Sequence, residues 1–374
     1  MASASARASR IRFIALGAAL GLSAIEAVGV VVNNASRGGA QDWRVFVDAG
    51  ARAGTSALLH PSETTDAFAY PPGFAWMLVG FAHIPRETGF WIDIVLMLGC
   101  AVAAALIAAR VYGLGPGTAL ALAFGWTPVL NAVAVGQNAT LGLLLALLTI
   151  AGMLRGSTLL TALPLGFLLY KPTYALPLFV VLAVRGRLRA FALGAVGGAL
   201  WYVASVTATG GDWRWPSEWA GMVVRYSSAD FAYNAVKATS LPALLLRVGM
   251  PLWLIALVVA AVLGAALVAL RRVDLLEAAS AACIAGVALS PHAWPYDAAL
   301  AYPMIALAWS RLPPREQTFE ALTLAVVGPA FLFSSLFGLN PQAIVVVGGT
   351  IAWLIVRLRQ PGEPVRVGQT PRAR

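Results

Sequence analysis

The feature that most constrains this chain is a recurring series of apolar segments that contain almost no charge. Segments of about 20 apolar residues are long enough to cross a hydrocarbon core as a helix. Only 11% of the 374 residues are charged, whereas soluble domains carry about 25%. Backbone groups in lipid need internal partners, which helices supply. The sequence therefore predicts an all-α polytopic membrane protein with about 10–12 membrane helices, including short or re-entrant ones.

Interruptions within these segments predict broken helices. Lys171-Pro172 divides one segment into two short helices that dip into the membrane and return, and Pro128 breaks another. Broken helices of this kind are tolerated where a membrane protein lines a cavity. The first segment follows a basic start without a convincing cleavage site, so we expect an uncleaved helix. The predicted segments are 11–33, 71–85, 90–109, 116–133, 139–154, 158–184, 190–208, 250–270, 275–289, 298–310, 319–337 and 342–357.

The positive charge of the chain predicts its orientation rather than a nucleic-acid partner. The net charge of +10 lies mostly in short loops, where Lys and Arg mark the cytoplasmic side of the plasma (inner) membrane. This pattern predicts a cytoplasmic N-terminus and long outer loops at 34–70 and 209–249. Arg86 and Arg155 are both expected inside, which requires one re-entrant segment between them, for which 116–133 is the candidate.

The same pattern predicts a simple domain organisation. Residues 1–359 form one transmembrane domain, and residues 360–374 form a disordered, basic cytoplasmic tail that lacks an apolar period. Cys100 and Cys283 fall inside apolar segments, so neither is expected in a disulfide or a metal site. We predict no metal and no cofactor, because no zinc pattern, P-loop or dinucleotide motif is present.

A carboxylate just after the first span is a candidate general base. Asp42 lies in Gln41-Asp42-Trp43-Arg44, where a carboxylate at the membrane surface can deprotonate a substrate hydroxyl. Two ordinary roles remain open for Asp42, which are capping a helix and pairing with Arg44.

Lys171 is the only charged residue between Arg155 and Arg185, and it lies at the break of the predicted hairpin. A charge at membrane depth is costly and usually functional. An ammonium there needs an anion, and the phosphate of a lipid is suitable. Snorkelling to the interface is the alternative.

Further polar and aromatic side chains flank the apolar segments. Tyr70 precedes Pro71-Pro72 at an interface. Gln137-Asn138 heads an apolar helix, where amides can bind sugar hydroxyls or phosphate or can cap the helix. The segment 290–297 contains His292, Tyr296 and Asp297; Asp297 also suits a helix cap. The outer segment 212–237 mixes Trp and Tyr with Arg225 and Lys237, which suits sugar and phosphate or an interfacial helix.

Taken together, these stretches resemble glycosyltransferase family 87, which contains polyprenyl-phosphate-mannose-dependent mannosyltransferases of the GT-C fold class. The resemblance covers roughly residues 11–310. The stretches that carry it are Asp42-Trp43-Arg44-Val45-Phe46, Tyr70-Pro71-Pro72, Gly136-Gln137-Asn138, Tyr170-Lys171-Pro172 with the arginines at 185, 187 and 189, and Ser290-Pro291 to Tyr296-Asp297.

The resemblance implies a function and a set of site residues. It implies transfer of a sugar, expected to be mannose, from a polyprenyl-phosphate donor to a glycan or glycolipid acceptor on the extracytoplasmic side. The reaction inverts the anomeric carbon, and Asp42 is the general base. The donor phosphate is assigned to Lys171 with Arg225 and Lys237. The substrate-binding residues are Arg44, Tyr70, Gln137, Asn138, His292, Tyr296 and Asp297.

Two other classes of function fit parts of the sequence. A transporter or flippase for a lipid-linked or small polar substrate also uses broken helices and a buried Lys. It should show paired breaks in two symmetric halves, whereas the breaks here crowd into the first half. A non-catalytic scaffold for envelope assembly would place no functional demand on Asp42.

Overall fold

The computed structural model of the protein describes residues 2–61, 67–330 and 340–360, and the regular elements in these ranges are all helical. The predicted tail lies outside the described residues, apart from Gln360. The α-helices are α1 (Ala2–Ala35), α2 (Gln41–Arg52), α3 (Val79–Ala82), α4 (Arg86–Tyr112), α5 (Pro116–Gly125), α6 (Thr127–Ala134), α7 (Ala139–Leu154), α8 (Thr158–Leu168), α9 (Pro172–Val184), α10 (Leu188–Ala208), α11 (Trp215–Asn234), α12 (Leu241–Arg247), α13 (Leu252–Arg272), α14 (Leu275–Ala288), α15 (Tyr302–Arg311), α16 (Pro314–Ala330) and α17 (Gly349–Arg359).

Shorter helical turns are the other regular elements of the described residues. They are 3₁₀-helices at Ser56–Leu58, Pro72–Leu78, Ala235–Lys237 and Pro295–Ala301, and a π-helical turn at Ile344–Gly348. The long outer loops 34–70 and 209–249 of the sequence analysis therefore contain helices, notably α2 and α11.

The helices confirm a polytopic membrane protein. Among the described residues, four helices are long and apolar enough to cross a membrane: Arg10–Ala35 of α1, then α4, α10 and α13. The pair α5 and α6 makes a fifth candidate, bent by 67°. Five shorter apolar helices, at Pro72–Ala82, Ala139–Leu154, Thr158–Leu168, Pro172–Val184 and Leu275–Ala288, account for the short segments expected from the sequence.

The two ends of the helix bundle differ in their charged groups. At one end, which we call the basic end, Arg311 and Arg357 both pair with the buried Glu277, at 2.6 and 2.5 Å. Arg187 donates to the Met153 carbonyl at this end. The 21 residues of α10 lead from Arg187 to the other end, about 30 Å away at 1.5 Å per residue. We call it the distal end; there the Gly54 amide donates to the Ala208 carbonyl.

The interrupted segment 158–184 folds as the hairpin predicted from its Lys-Pro break. α8 ends at Leu168 and α9 begins at Pro172, so the turn holds Lys171. The two outer ends of the hairpin return to the basic end, where the Arg185 guanidinium donates to the Val273 carbonyl. The hairpin is held close to α10, because a Cβ on Gly197 would lie 2.5 Å from the Gly166 Cα.

The prediction that 116–133 is re-entrant was wrong. Contacts with α1 rise in step along both chains: Gly125 lies beside Ala19, the Thr127 hydroxyl is 2.8 Å from that of Ser23, and Asn34 donates to the Ala134 carbonyl at 3.0 Å. α5 and α6 therefore run alongside α1 toward the distal end as one bent span. The bend follows Gly125 and precedes Pro128, whose ring cannot sit in a straight helix interior.

The prediction that Arg86 lies with the basic loops was also wrong. Its guanidinium pairs with Asp48 at 2.5 Å, and its carbonyl accepts from the Trp43 indole at 3.0 Å, so Arg86 lies at the distal end. Segment 71–85 does not cross, because it forms a seven-residue 3₁₀-helix and a four-residue α-helix. Those turns rise only about 20 Å, less than the roughly 30 Å of a hydrocarbon core.

Candidate functional site

A polar cavity of about 440 Å³ opens at the distal end of the bundle. Its walls come from four parts of the chain: the start of α2, the bent helix α6, the second half of α11 with the turn after it, and the 3₁₀-helix 295–301 with the residue before it. The lining residues are Gln41, Asp42, Asn131, Val135, Tyr226, Ala229, Asp230, Asn234, Lys237, Trp294, Pro295 and Tyr296. Three charged side chains therefore converge on one cavity.

Asp42 points into this cavity from the first turn of α2. The helix is amphipathic and buries Trp43, Phe46 and Val47 against the bundle, which fixes the neighbouring Asp42 on the cavity side. Burial raises the pKa of the Asp42 carboxyl, a hydrogen bond from Gln137 lowers it, and the nearby charge of Asp230 raises it again. A carboxylate with a raised pKa is a better proton acceptor at neutral pH than an exposed one.

The two ordinary roles that the sequence left open for Asp42 do not match its surroundings. The N-cap of α2 is Ala40, so Asp42 does not cap the helix. Within the described ranges, Arg44 forms no ion pair with Asp42; its guanidinium lies 3.5 Å from the Arg37 carbonyl oxygen. Arg44 is not among the residues that line the cavity, although it was predicted to bind substrate.

Behind Asp42, a network of tyrosines and amides fixes the cavity wall. The Tyr70 hydroxyl lies 2.8 Å from the Gln137 Oε1 and 3.2 Å from the Asn138 Oδ1. The Tyr170 hydroxyl donates to the Asn138 carbonyl at 2.9 Å. All four side chains are buried, so the structure brings these predicted residues together, with Gln137 as the one that reaches Asp42.

Lys171 lies beneath the cavity in a buried ion pair that the sequence did not predict. Its Nζ lies 2.5 Å from the Asp297 Oδ1, and their side chains are only 16% and 5% exposed. Tyr174 accepts from the Lys171 Nζ at 3.0 Å and donates to Asp297. The ammonium also lies over the rings of Tyr174 and Tyr296, at 4.4 and 5.4 Å. Lys171 is therefore held by a carboxylate and aromatic rings.

Asp297 also fixes the start of the 3₁₀-helix 295–301. Its second carboxylate oxygen accepts from the Trp294 backbone amide at 2.7 Å, which is a capping contact of the type expected from the sequence. Because Trp294, Pro295 and Tyr296 line the cavity, the Lys171–Asp297 pair connects the tip of the α8–α9 hairpin to the cavity wall.

A second polar cluster comes from α11 and the turn that follows it. The Lys237 ammonium donates to the Asn234 Oδ1 at 2.9 Å, and the Asn234 amide donates to the Asp230 Oδ1 at 2.7 Å. Tyr226 is hydrogen-bonded to the same carboxylate. Lys237 is thus the predicted phosphate-binding residue that lines the cavity, whereas Arg225 is not among the lining residues.

His292 packs behind the cavity wall in a neutral state. Its Nε2 accepts from the Trp294 indole at 2.7 Å and lies 3.7 Å from the Asp230 carboxylate. Burial lowers the pKa of His292, although Asp297 and Asp230 act in the opposite direction. An acceptor Nε2 is an unprotonated nitrogen, so His292 orients Trp294 rather than carrying a charge.

Asp230 and Asn131 line the cavity but were not among the residues predicted from the sequence. The signal for Asp230 was present: polar residues at 226, 230 and 234 recur every four positions, which places them on one helix face. The mixture of Trp, Tyr and Arg suited an interfacial helix as well as a sugar site, and composition alone does not identify the face that carries Asp230. Asn131 follows the Pro128 break in a short apolar stretch. The direction of its side chain depends on the 67° bend between α5 and α6, which the sequence does not give.

These features define the class of protein as an all-α integral membrane protein with a carboxylate-bearing cavity at one end of its helix bundle. Within this class, the family model of glycosyltransferase family 87 matches residues 68–295. The match covers more than half of the 374 residues, and the chain belongs to this family: it is a membrane glycosyltransferase. The matched range begins after Asp42 and ends before Tyr296. Comparisons with curated proteins and with solved structures found no match.

Proposed function

We propose that the protein transfers a sugar, expected to be mannose, from a polyprenyl-phosphate donor to a hydroxyl of a glycan or glycolipid, with Asp42 as general base. The observation that carries the proposal is the shared cavity, which Asp42 and Lys237 line from different elements. A base and a cation in one cavity are what transfer from a sugar phosphate requires, because a proton leaves the nucleophile while charge builds on the leaving phosphate.

The proposed step is a single inverting displacement. The acceptor oxygen attacks the anomeric carbon as its proton passes to Asp42, and the bond from that carbon to the phosphate oxygen breaks. The polyprenyl phosphate leaves with the bonding electrons and gains negative charge. A β-linked donor gives an α-linked product. The reaction consumes no nucleotide, so the donor phosphate is the group that must be stabilised.

Lys237 is the first candidate for binding that phosphate. It lines the cavity, and its ammonium is oriented by the neutral Asn234 amide at 2.9 Å, which leaves its charge available. Lys171 lies deeper and is paired with Asp297 at 2.5 Å, so its positive field is largely balanced. We therefore propose that Lys237 contacts the phosphate and that Lys171 contributes through the position of Tyr296.

The proposal extends to the setting of the reaction. We propose a GT-C arrangement in the plasma (inner) membrane, with residues 1–359 as one domain, a cytoplasmic N-terminus and the cavity on the extracytoplasmic side. The concentration of Arg at the basic end supports this orientation, because Lys and Arg mark the cytoplasmic face. The headgroup of a lipid donor lies at the membrane surface, so a cavity at the end of the bundle can receive its sugar phosphate.

The direct test is transfer by purified protein. Wild type, Asp42→Asn and the control Asp48→Asn are incubated with polyprenyl-phosphate mannose and hydroxyl acceptors. Asp48 is on the same helix but outside the cavity lining, in an exposed pair with Arg86. We expect loss of general-base catalysis to lower kcat for Asp42→Asn by about 10²–10⁴-fold, with the control near wild type. Equal rates for all three would contradict the base assignment, and lipid movement without transfer would indicate a transporter.

A further inference from the structure

We infer that Asp230 of α11 is a second substrate-contacting carboxylate, which binds neighbouring hydroxyls of an uncharged sugar acceptor and disfavours anionic ones. The inference rests on the proposed function, because it names the acceptor class for the same cavity. It assigns Asp230 to recognition and leaves deprotonation to Asp42.

The position of Asp230 follows from the period of α11. Tyr226, Asp230 and Asn234 are spaced four residues apart and all line the cavity, so one face of the helix points into the site. Asp42 approaches from α2, and the charges of Asp42 and Asp230 are close enough to raise the pKa of Asp42. The cavity therefore contains two carboxylates that come from different elements.

The hydrogen bonds of Asp230 suit it for orienting a ligand. Its carboxylate accepts from the Asn234 amide at 2.7 Å and is hydrogen-bonded to the Tyr226 hydroxyl. A carboxylate offers about four lone-pair sites, so two remain for substrate hydroxyls. The protein donors hold the carboxylate in one orientation, which is the property that fixes the direction of a bound ring.

The charges of the lining determine which acceptors are favoured. Asp42 and Asp230 supply two negative charges, and Lys237 supplies one positive charge that the donor phosphate uses. An acceptor with a carboxylate or phosphate of its own would meet like charge at short range, which weakens its binding. The aromatic rings of Tyr226 and Trp294 add apolar area that suits the carbon face of an uncharged ring.

The first experiment measures binding and does not depend on transfer. Full-length protein in detergent is titrated with methyl α-mannopyranoside and with the corresponding C6 uronate, and Kd is measured by ligand-observed NMR. We expect wild type to bind the neutral glycoside about tenfold more tightly or better. Asp230→Asn should weaken neutral binding by about tenfold and reduce the discrimination. Tyr226→Phe should show a smaller change in the same direction.

The matched control is Glu218→Gln on the same helix. Glu218 pairs with His60 at the surface, 3.4 Å away, and does not line the cavity. We expect its two Kd values to equal those of wild type. Unchanged affinity and discrimination in Asp230→Asn, or no binding of either glycoside by wild type, would overturn the inference.

Steady-state kinetics separate recognition from base catalysis. For Asp230→Asn we expect the acceptor KM to rise about tenfold while kcat stays within about threefold, the pattern of lost uniform binding. A fall in kcat as large as that of Asp42→Asn with an unchanged KM would reassign Asp230 as the base. If no lipid-phosphate sugar is transferred but the Kd pattern is as expected, the proposed transfer fails while the recognition role of Asp230 stands.

Discussion

At the scale of single residues, the Lys171–Asp297 pair changes the role that the sequence suggested for Lys171. The sequence indicates a charge at a hairpin break and therefore a need for an anion, but it does not indicate which anion. The partner is a carboxylate 126 positions away in the chain, and no local pattern identifies a contact at that separation. The sequence predicted that Lys171 lies at membrane depth, and its side chain is only 16% exposed. The identity of its partner depended on the tertiary fold.

A pair of substitutions tests this reassignment. Lys171→Met should destabilise the protein strongly, because it leaves Asp297 buried and unpaired, a loss of about 3–5 kcal/mol. Lys171→Met with Asp297→Asn should recover part of that loss, since no uncompensated charge remains. Thermal unfolding of the purified variants measures both. A double variant no more stable than Lys171→Met would show that the ion pair is not what holds the hairpin tip.

The environment of Asp42 gives a pH prediction with a defined sign. A base must be deprotonated, so activity is lost as pH falls through the pKa of Asp42. Burial raises that pKa above the ordinary value of 3.8, so the acid limb of kcat/KM should lie above pH 3.8. Gln137→Leu removes the hydrogen bond that lowers the pKa and should move the limb to higher pH. A limb unchanged by Gln137→Leu would contradict this coupling.

At the scale of elements, the apolar segments predicted most helices closely. Segment 139–154 matches α7, and the two halves of 158–184 match α8 and α9. The prediction that segment 71–85 crosses the membrane was wrong, because an apolar run of that length also fits short helical turns whose two ends lie at the same end of the bundle. For the outer loops, the sequence left open a helix that begins near Asp42 and an interfacial helix within 212–237, without giving their bounds. Periodicity, rather than hydrophobicity alone, identifies such helices.

Close packing of the hairpin against α10 gives a prediction at this scale. Gly197→Ala would place a Cβ 2.5 Å from the Gly166 Cα, so the two helices must separate. Gly198→Ala, one residue further along the same helix, would contact the Leu169 side chain at an ordinary 3.4 Å. We expect a lower thermal stability for Gly197→Ala and a value near wild type for Gly198→Ala. Equal stability of the two variants would contradict the close approach of α8 and α10.

At the scale of the whole molecule, the two ends of the bundle define which loops share a side. Charge counting alone grouped Arg86 with the basic loops, because segment 71–85 was counted as a crossing. The ion pair of Arg86 with Asp48 places Arg86 at the distal end, and the contacts along α1 show that α5 and α6 cross the bundle. α4, the bent α5–α6 span and α7 therefore each connect the two ends, and no re-entrant segment is needed between Arg86 and Arg155. The number of segments that cross between two loops thus depends on tertiary contacts, which a count of charges does not include.

Cysteine labelling tests this arrangement. In a variant without Cys100 and Cys283, a cysteine at Glu87 and one at Trp213 should be labelled by an impermeant thiol reagent from the same side of the membrane. A cysteine at Arg189 should be labelled from the opposite side. Because the basic end is proposed to be cytoplasmic, the first two should react in intact cells. Labelling of position 87 together with position 189 would contradict the distal location of Arg86.

The central claim is that Asp42 removes a proton from the acceptor during transfer from a lipid phosphate. Azide is a nucleophile that needs no deprotonation, so it separates the base from the rest of the site. With polyprenyl-phosphate mannose, Asp42→Ala should lose transfer to hydroxyl acceptors but should form α-mannosyl azide when azide is added. Full transfer to hydroxyls by Asp42→Ala, or no azide product from a folded variant that binds the donor, would contradict the account.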